Sequence, residues 1–153
     1  MNLAAVIFHS DRKDQQVLIS TQVDPNNPNT FTFLTQNAAE GVNNGIELEM
    51  DIQLSENLDM FINFGLLKTE IKSWKSRPEI EGRAQAHAPD KSYAIGFNWH
   101  PSEQSNLSFD IVGKSSFYYS DSHDNKSKSY FLTNINYSYF SGQWTYSIWG
   151  RNI

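Results

Sequence analysis

The stretch Gly45–Leu67, GIELEMDIQLSENLDMFINFGLL, alternates between apolar and polar side chains on both sides of a short interruption. Its apolar residues are spaced two apart: Ile46, Leu48, Met50, Ile52 and Leu54, then Leu58, Met60, Ile62, Phe64 and Leu66. Successive residues of a β-strand point to opposite faces, so this period of two predicts two strands joined by a turn at residues 55–57. The hairpin has one strongly apolar face and one face that carries Glu47, Glu49 and Asp51.

The composition limits the classes of function that the chain can have. A length of 153 residues is enough for one domain with a sizeable core. The net charge of −5 argues against a nucleic-acid partner, because a phosphate-binding surface needs clustered Lys and Arg. The chain has no cysteine, which excludes disulfides and thiolate metal sites. No apolar run is long enough for a transmembrane helix, which needs about 18 or more residues.

The same period of two predicts seven strands along the chain. The expected strands are residues 3–13, a second that ends in 45–54 and starts near Thr32, then 57–72, 91–100, 107–120, 129–140 and 144–152. Three connections, SEN, PSEQSN and SGQ, are tight, and they alternate with longer polar segments around 14–36, 73–90 and 121–128. We therefore predict an all-β, antiparallel up-and-down meander with the tight turns at one end and the long loops at the other.

This asymmetry is typical of an outer-membrane β-barrel, which has short periplasmic turns and long extracellular loops. The apolar strand faces are expected to contact outer-membrane lipid and the polar faces to line a lumen. Aromatic residues make up 14% of the chain, and rings at both ends of an apolar band are typical of interfacial girdles. The short-turn end is expected to carry Trp99, Tyr137, Tyr139, Phe140 and Trp144. The long-loop end is expected to carry Trp74, Phe117, Tyr118, Tyr119, Tyr130 and Phe131.

Charged residues on the polar strand faces are candidates for lining the lumen. They are Glu47, Glu49, Asp51, Asp110 and Lys114. A catalytic carboxylate pair would need a positioned substrate and separated pKa values, and nothing in the sequence places these residues together with a nucleophile. We therefore expect no catalytic residues, and the chain is not expected to be an enzyme.

The histidines and one acidic loop are the remaining candidates for metal binding. The four histidines lack the spacing of metal ligands: His9, His87, His100 and His123. The segment DSHDN, residues 121–125, could bind a cation weakly through oxygen ligands, or it could be an ordinary solvated loop. We expect no metal site and no cofactor.

The loop Lys72–Pro89, KSWKSRPEIEGRAQAHAP, is the best candidate for contact with a small-molecule ligand. Trp74 can stack on a ligand, and Arg77 and Arg83 can pair with carboxylate or catecholate oxygens. The other candidates are His87 in the same loop and Tyr118, Tyr119 and His123 in the next long loop. The alternative interpretation of these residues is a polar surface loop without a ligand.

Three segments resemble those of TonB-dependent outer-membrane receptors. AAVIFHSDRKDQQV resembles an aromatic strand followed by a DxKD motif, and NAAEGVNNGIELEMD resembles the GxExE strand of that family. The final WTYSIWGRNI resembles the strand that carries the family's RN-(Leu/Ile)-FD signature. The resemblance covers essentially the whole chain.

The resemblance implies a large single-chain transmembrane barrel that encloses a plug. It also implies active uptake of a scarce ligand, such as a ferric siderophore, with energy supplied by the TonB complex through the plug region. Residues 1–153 have no counterpart of the plug, so they are expected to be a single, partial C-terminal barrel segment located in the outer membrane as part of a full-length receptor. Two alternatives stay open: a small outer-membrane barrel with a structural or adhesive role, and a soluble carbohydrate-binding β-sandwich.

Overall fold

Seven antiparallel strands form one sheet whose strand order follows the chain. The computed structural model describes the backbone of residues 1–153 and all side chains except those of residues 17–21, 34 and 36–38. The strands are β1 (Asn2–Gln22), β2 (Phe31–Ser55), β3 (Leu58–Trp74), β4 (Lys91–Ser102), β5 (Ser105–Lys114), β6 (Tyr130–Ser141) and β7 (Trp144–Arg151). A short 3₁₀ helix, Pro78–Ile80, lies between β3 and β4. The predicted all-β meander of seven strands is confirmed.

The β1–β2 hairpin is longer than the sequence predicted. Residues 14–36 were expected to form a long polar loop, but β1 continues to Gln22 and β2 begins at Phe31. The two strands stay paired up to Gln22 and Phe31, with register shifts between Arg12 and Gln16. The expectation was wrong because the sequence of this extension, with three consecutive apolar residues at 17–19 between polar ones, does not show the period of two, although the backbone still pairs.

Strand β5 is shorter than predicted, since it ends at Lys114 and not at Ser120. Its neighbour β4 begins at Lys91, whose carbonyl accepts a hydrogen bond from the Ser115 N–H at 2.9 Å, and the pairing of the two strands ends there. The chain then forms a small separate hairpin, in which Phe117 and Ser127 exchange hydrogen bonds and Tyr118 bridges to Lys126. The sequence alternation continues through this segment, but the segment leaves the sheet.

The strand register sorts the side chains onto an apolar face and a polar face. Directly paired residues share a face, and the pairs Ile62–Ile95 and Ile95–Ile111 continue one apolar row across three strands. The neighbouring row of the opposite face pairs Asn63 with Glu49 and with Ala94. We call these the apolar face and the polar face. Many large residues of the apolar face are exposed, including Ile95 at 41% and Ile135 at 38%.

The sheet is open in the part of the chain that the structure describes. Strands β1 and β7 each have one neighbouring strand and do not pair with each other. The described residues form no second layer over the sheet, so the alternative of a soluble β-sandwich is wrong, and so is a small barrel closed by this chain alone. No helix among the described residues is long and apolar enough to cross a membrane.

The lengths of the connections alternate as predicted. Tight turns at residues 56–57, 103–104 and 142–143 join the second, fourth and sixth strands to the strands that follow them. The connections 75–90 and 115–129 are long and lie at the other end of the sheet, as does the hairpin tip 23–30. The long connections therefore meet at one end, where the candidate site lies.

Candidate functional site

The two long connections pack against each other and form one structural unit. We call residues 75–90 loop A and residues 115–129 loop B. The backbone N–H of His87 in loop A donates a hydrogen bond to the carbonyl of Tyr118 in loop B at 2.9 Å. The N–H of Ala86 donates to Asp121 Oδ1 at 3.0 Å. A backbone–backbone hydrogen bond and a backbone N–H bound to the Asp121 carboxylate therefore join the two loops.

Arg83 of loop A is the centre of the contact between the loops. Its Nη1 donates to Asp124 Oδ1 at 2.7 Å and to the His123 carbonyl at 3.2 Å. Its Nη2 donates to the Ser120 carbonyl at 3.3 Å and lies 3.5 Å from Asp121 Oδ1. The side chain is only 9% exposed. A guanidinium presents its donors in a rigid fork, which suits this set of carboxylates and carbonyls in loop B.

The ring of Tyr118 lies against two cations. The guanidinium carbon of Arg83 is 4.4 Å from the ring centroid, and the ammonium of Lys126 is 4.2 Å from it. A cation within about 6 Å of an aromatic ring is attracted by the ring quadrupole, by about 0.5–1 kcal/mol at exposed sites. Tyr118 therefore contributes to the packing of the loops.

Arg77 makes a second link between the loops. Its Nη1 donates to the Asp121 carbonyl at 2.8 Å, and its Nε donates to Glu79 Oε1 at 2.8 Å. The hydrogen bond from Arg77 lowers the pKa of the Glu79 carboxyl below its usual value. Glu79 therefore stays ionised to a lower pH than an unpaired glutamate does.

Trp74 lies in a small core beneath loop A. It is 2% exposed and packs in a buried cluster with Ala39, Ile71 and Ile80. Its indole Nε1 donates to Ser76 Oγ at 2.9 Å, and its backbone N–H donates to Glu81 Oε1 at 2.9 Å. The expected place of Trp74 in an exposed aromatic girdle is therefore wrong, because β3 and the 3₁₀ helix enclose its side chain.

Loop A folds back over the polar face of the sheet. The N–H of Ile71 donates to the Arg83 carbonyl at 2.8 Å, so loop A runs along the free edge of β3. The N–H of Gln85 donates to Thr69 Oγ1 at 2.9 Å. The side chain of Gln85 covers Gly41, where an added Cβ would lie 2.6 Å from Gln85 Nε2. Gly41 shares its face with Glu47 and Glu49, so loop A lies at the edge of the predicted lumen.

The structure separates the seven predicted ligand contacts by their exposure. Trp74 and Arg83 are buried and make contacts within the chain. His87, Tyr119 and His123 are exposed on the loop pair, and Arg77 and Tyr118 are intermediate. None of these three groups is shown to contact a ligand, so that role stays a prediction for all seven residues.

Sequence reasoning missed the role of two acidic residues. Asp121 and Asp124 were considered only as weak cation ligands or solvated groups in the segment 121–125. In the structure both carboxylates accept hydrogen bonds from loop A, from Arg83 and, for Asp121, also from Ala86. Their sequence separation from Arg83 is about forty residues, and no local pattern reports such a distant pairing. No group of three or more potential metal-ligating residues is found in the described part of the chain.

The five predicted lumen residues share the polar face. The register links Glu47 through Gly65 and Ser92 to Lys114 in one row. Another row runs from Asp51 through Phe61 and Gly96 to Asp110. Asp110 accepts a hydrogen bond from Asn134 Nδ2 at 2.7 Å. Exposure of these residues to a lumen stays a prediction.

The polar face also contains aromatic residues that sequence reasoning did not assign to it. The Phe61 ring covers Gly96, and Trp149 lies on this face in register with Asn136. The guanidinium of Arg151 is 5.5 Å from the Trp149 ring. The sequence signal for the Phe61 contact would have been Gly96 on the neighbouring strand, because an aromatic ring fills the space that a glycine leaves empty.

Comparison with known proteins places this fold among outer-membrane receptors. A family model described as "TonB dependent receptor-like, beta-barrel" matches residues 1–153. A search of curated proteins found no match.

Two solved structures resemble the fold. The siderophore receptor PiuA from Acinetobacter baumannii superposes with a TM-score of 0.72 and 16% identity, over 92% of this chain and 20% of that chain. The closed form of the ferric-catecholate import receptor Fiu from E. coli K12 superposes with a TM-score of 0.68 and 12% identity, over 99% of this chain and 20% of that chain. The chain therefore spans about one fifth of the length of these receptors.

Proposed function

Because the chain belongs to the TonB-dependent receptor β-barrel family, we propose that it forms part of the barrel wall of a larger outer-membrane receptor. We call this larger protein the parent receptor. Its proposed activity is the active uptake of a scarce small-molecule ligand such as a ferric siderophore. The proteins of this family are receptors and transporters, not enzymes. Residues 1–153 supply a C-terminal segment of the wall, and a plug region outside this segment couples uptake to the TonB complex.

The observation that carries this proposal is the open sheet with two unlike faces. The apolar face exposes large side chains in rows that cross several strands, and water would disfavour such a surface. The polar face carries Glu47, Glu49 and Asp51, which lipid would disfavour. Lipid on one side and an aqueous lumen on the other satisfy both faces. Further strands of the parent receptor pair with the free edges of β1 and β7.

The loop pair is the proposed extracellular contact region. Arg83 and Trp74 hold its shape, and the exposed residues Tyr119 and His123 present an aromatic ring and an imidazole to a ligand. A phenol ring can stack on a planar ligand, and an imidazole can donate to its oxygens. Loops on a rigid scaffold often carry recognition, and loop A lies at the edge of the proposed lumen.

Uptake of labelled iron tests the proposed activity. Cells that produce the parent receptor are given ferric catecholate or ferric hydroxamate siderophores containing radioactive iron, with and without TonB. We expect uptake of at least one siderophore class and its loss without TonB. Uptake that persists without TonB, or no uptake of either class by cells with correctly inserted receptor, contradicts the proposal.

Substitutions in loop B test the contact region separately. Tyr119→Ala and His123→Ala are expected to weaken siderophore binding to whole cells without changing the amount of receptor. Tyr146→Ala is the matched control, because Tyr146 is 58% exposed, close to the 50% of Tyr119, and lies near the short-turn end of the sheet. Equal binding by both loop variants and the control removes the ligand-contact role from these residues.

A further inference from the structure

A cleft on the apolar face, next to the candidate site, combines an apolar floor with a cationic rim. It has a volume of about 880 Å³, within the range of about 300–1,000 Å³ that is usual for small-molecule sites. The floor is formed by Ile7, Ile46 and Leu66, which lie side by side in one row of the sheet. These three side chains are 81%, 45% and 37% exposed.

Two lysines stand at the long-loop edge of this floor. Lys91 is paired with Leu66 and continues the same row on β4. Lys68 is two residues beyond Leu66 on β3 and therefore shares its face. Residues diagonally related in this way are about 7–8 Å apart, within reach of two long side chains that converge on one anion. Both lysines line the cleft.

The ammonium groups of Lys68 and Lys91 make no ion pair among the described side chains. Two of the nearby acidic groups pair with other side chains. Glu70 binds Lys72 at 2.7 Å, and Asp11 lies 3.2 Å from His9 Nε2. Asp90 also borders the cleft, and among the described side chains its carboxylate forms no ion pair with either lysine, while its backbone carbonyl accepts from the Leu67 N–H. Two exposed cations without an anionic partner therefore remain beside an apolar surface.

The position of the lysines along the strand matches the edge of a membrane. From Leu58 to Lys68, β3 rises about 34 Å at ~3.4 Å per residue. At a strand tilt of about 40° this corresponds to about 26 Å along the membrane normal, close to the ~25 Å height of the apolar band in such barrels. The apolar floor thus lies at the outer edge of the apolar band, with Lys91 level with Leu66 and Lys68 about 7 Å farther along β3, toward the head groups.

We propose that this cleft binds one anionic, phosphate-bearing membrane lipid, with acyl chain against Ile7, Ile46 and Leu66 and phosphate between Lys68 and Lys91. Basic groups above an apolar surface at this depth complement the charge and shape of such a lipid. The proposal rests on the membrane orientation given under Proposed function. It is independent of which ligand the parent receptor transports.

Native mass spectrometry of the parent receptor in neutral detergent tests the proposal. The probes are phosphatidic acid, phosphatidylcholine with the same acyl chains, and inorganic phosphate alone. We expect retention of one phosphatidic acid, much weaker retention of phosphatidylcholine and no binding of inorganic phosphate at the same concentrations. Inorganic phosphate bound as tightly as phosphatidic acid would identify a free-anion site and overturn the lipid assignment, as would equal retention of the two lipids.

Paired variants identify the residues. The double variant Lys68→Ala/Lys91→Ala is expected to weaken phosphatidic acid binding about 25-fold, or about fivefold per lysine. Lys68→Arg/Lys91→Arg should retain binding. Lys114→Ala, which removes one lysine charge from the polar face, should bind as the unmodified receptor does. Protease protection in vesicles first shows that each variant is inserted in the proposed orientation. A failure of the proposed function is thereby distinguished from a failure of lipid binding. Equal affinity of the double alanine variant and Lys114→Ala refutes the site.

Discussion

The assignment of the two sheet faces is tested most directly by placing an arginine at neighbouring positions of β3. Ile62 lies on the apolar face in register with Met50 and Ile95, and the next residue, Asn63, lies on the polar face opposite Glu49. The substitutions Ile62→Arg and Asn63→Arg add the same side chain one residue apart. Any difference between them therefore reports which face contacts lipid.

The expected magnitude follows from the depth of Ile62. It is midway between Leu58 and Leu66, a segment about 27 Å long at ~3.4 Å per residue. An arginine on the lipid face near the bilayer midplane costs about 2–4 kcal/mol, and the cost falls to about 0–1 kcal/mol near the interfaces. Ile62→Arg should therefore lower the free energy of unfolding by about 2–4 kcal/mol, and Leu66→Arg by about 0–1 kcal/mol. Asn63→Arg places a cation directly opposite Glu49, a pair that contributes about 0.2–1 kcal/mol.

The assay is reversible folding of the parent receptor into lipid vesicles, followed by denaturant titration of each variant. A difference of 2–4 kcal/mol changes the folding equilibrium by about 30- to 700-fold, which such a titration resolves. Equal free energies of unfolding for Ile62→Arg and Asn63→Arg would refute the assignment of lipid and lumen faces. A larger loss for Leu66→Arg than for Ile62→Arg would refute the assigned depth.

Three further predictions address sidedness, packing and the isolated chain. A cysteine at Ser122 should react with an impermeant maleimide on whole cells and one at Glu56 should not, whereas the reverse pattern contradicts the topology. Gly96→Ala should lower the free energy of unfolding by about 1–3 kcal/mol, because its Cβ would lie 2.6 Å from the Phe109 carbonyl and the Phe61 ring. Gly65→Ala should lower the free energy of unfolding by less, since its Cβ would meet the Ser92 hydroxyl, which can rotate away. Equal losses of unfolding free energy for the two variants contradict this packing. Residues 1–153 expressed without detergent should aggregate, and a cooperative monomer measured by light scattering would contradict the membrane assignment.

The sequence alone determined the parts of the fold that depend on neighbouring residues. In Gly45–Leu67 the period of two predicted both strands, their turn and the face of each side chain, because alternate residues of a strand always point to opposite sides. The lengths of the connections predicted which ends of the strands meet. Both kinds of information are local, so the meander of seven strands could be derived without the structure.

Only the tertiary structure decided how the long connections are used. Arg83 and Asp124 are 41 positions apart, and Arg77 and Asp121 are 44 apart. The chemistry of Arg83 suggested an anionic partner, but the sequence could not distinguish a ligand from a carboxylate of another loop. Trp74 looked like an exposed interfacial ring until the 3₁₀ helix was seen to enclose it. These contacts depend on where distant segments meet in space. The sequence did not show them because side-chain periodicity gives only the orientation of a residue relative to its own strand.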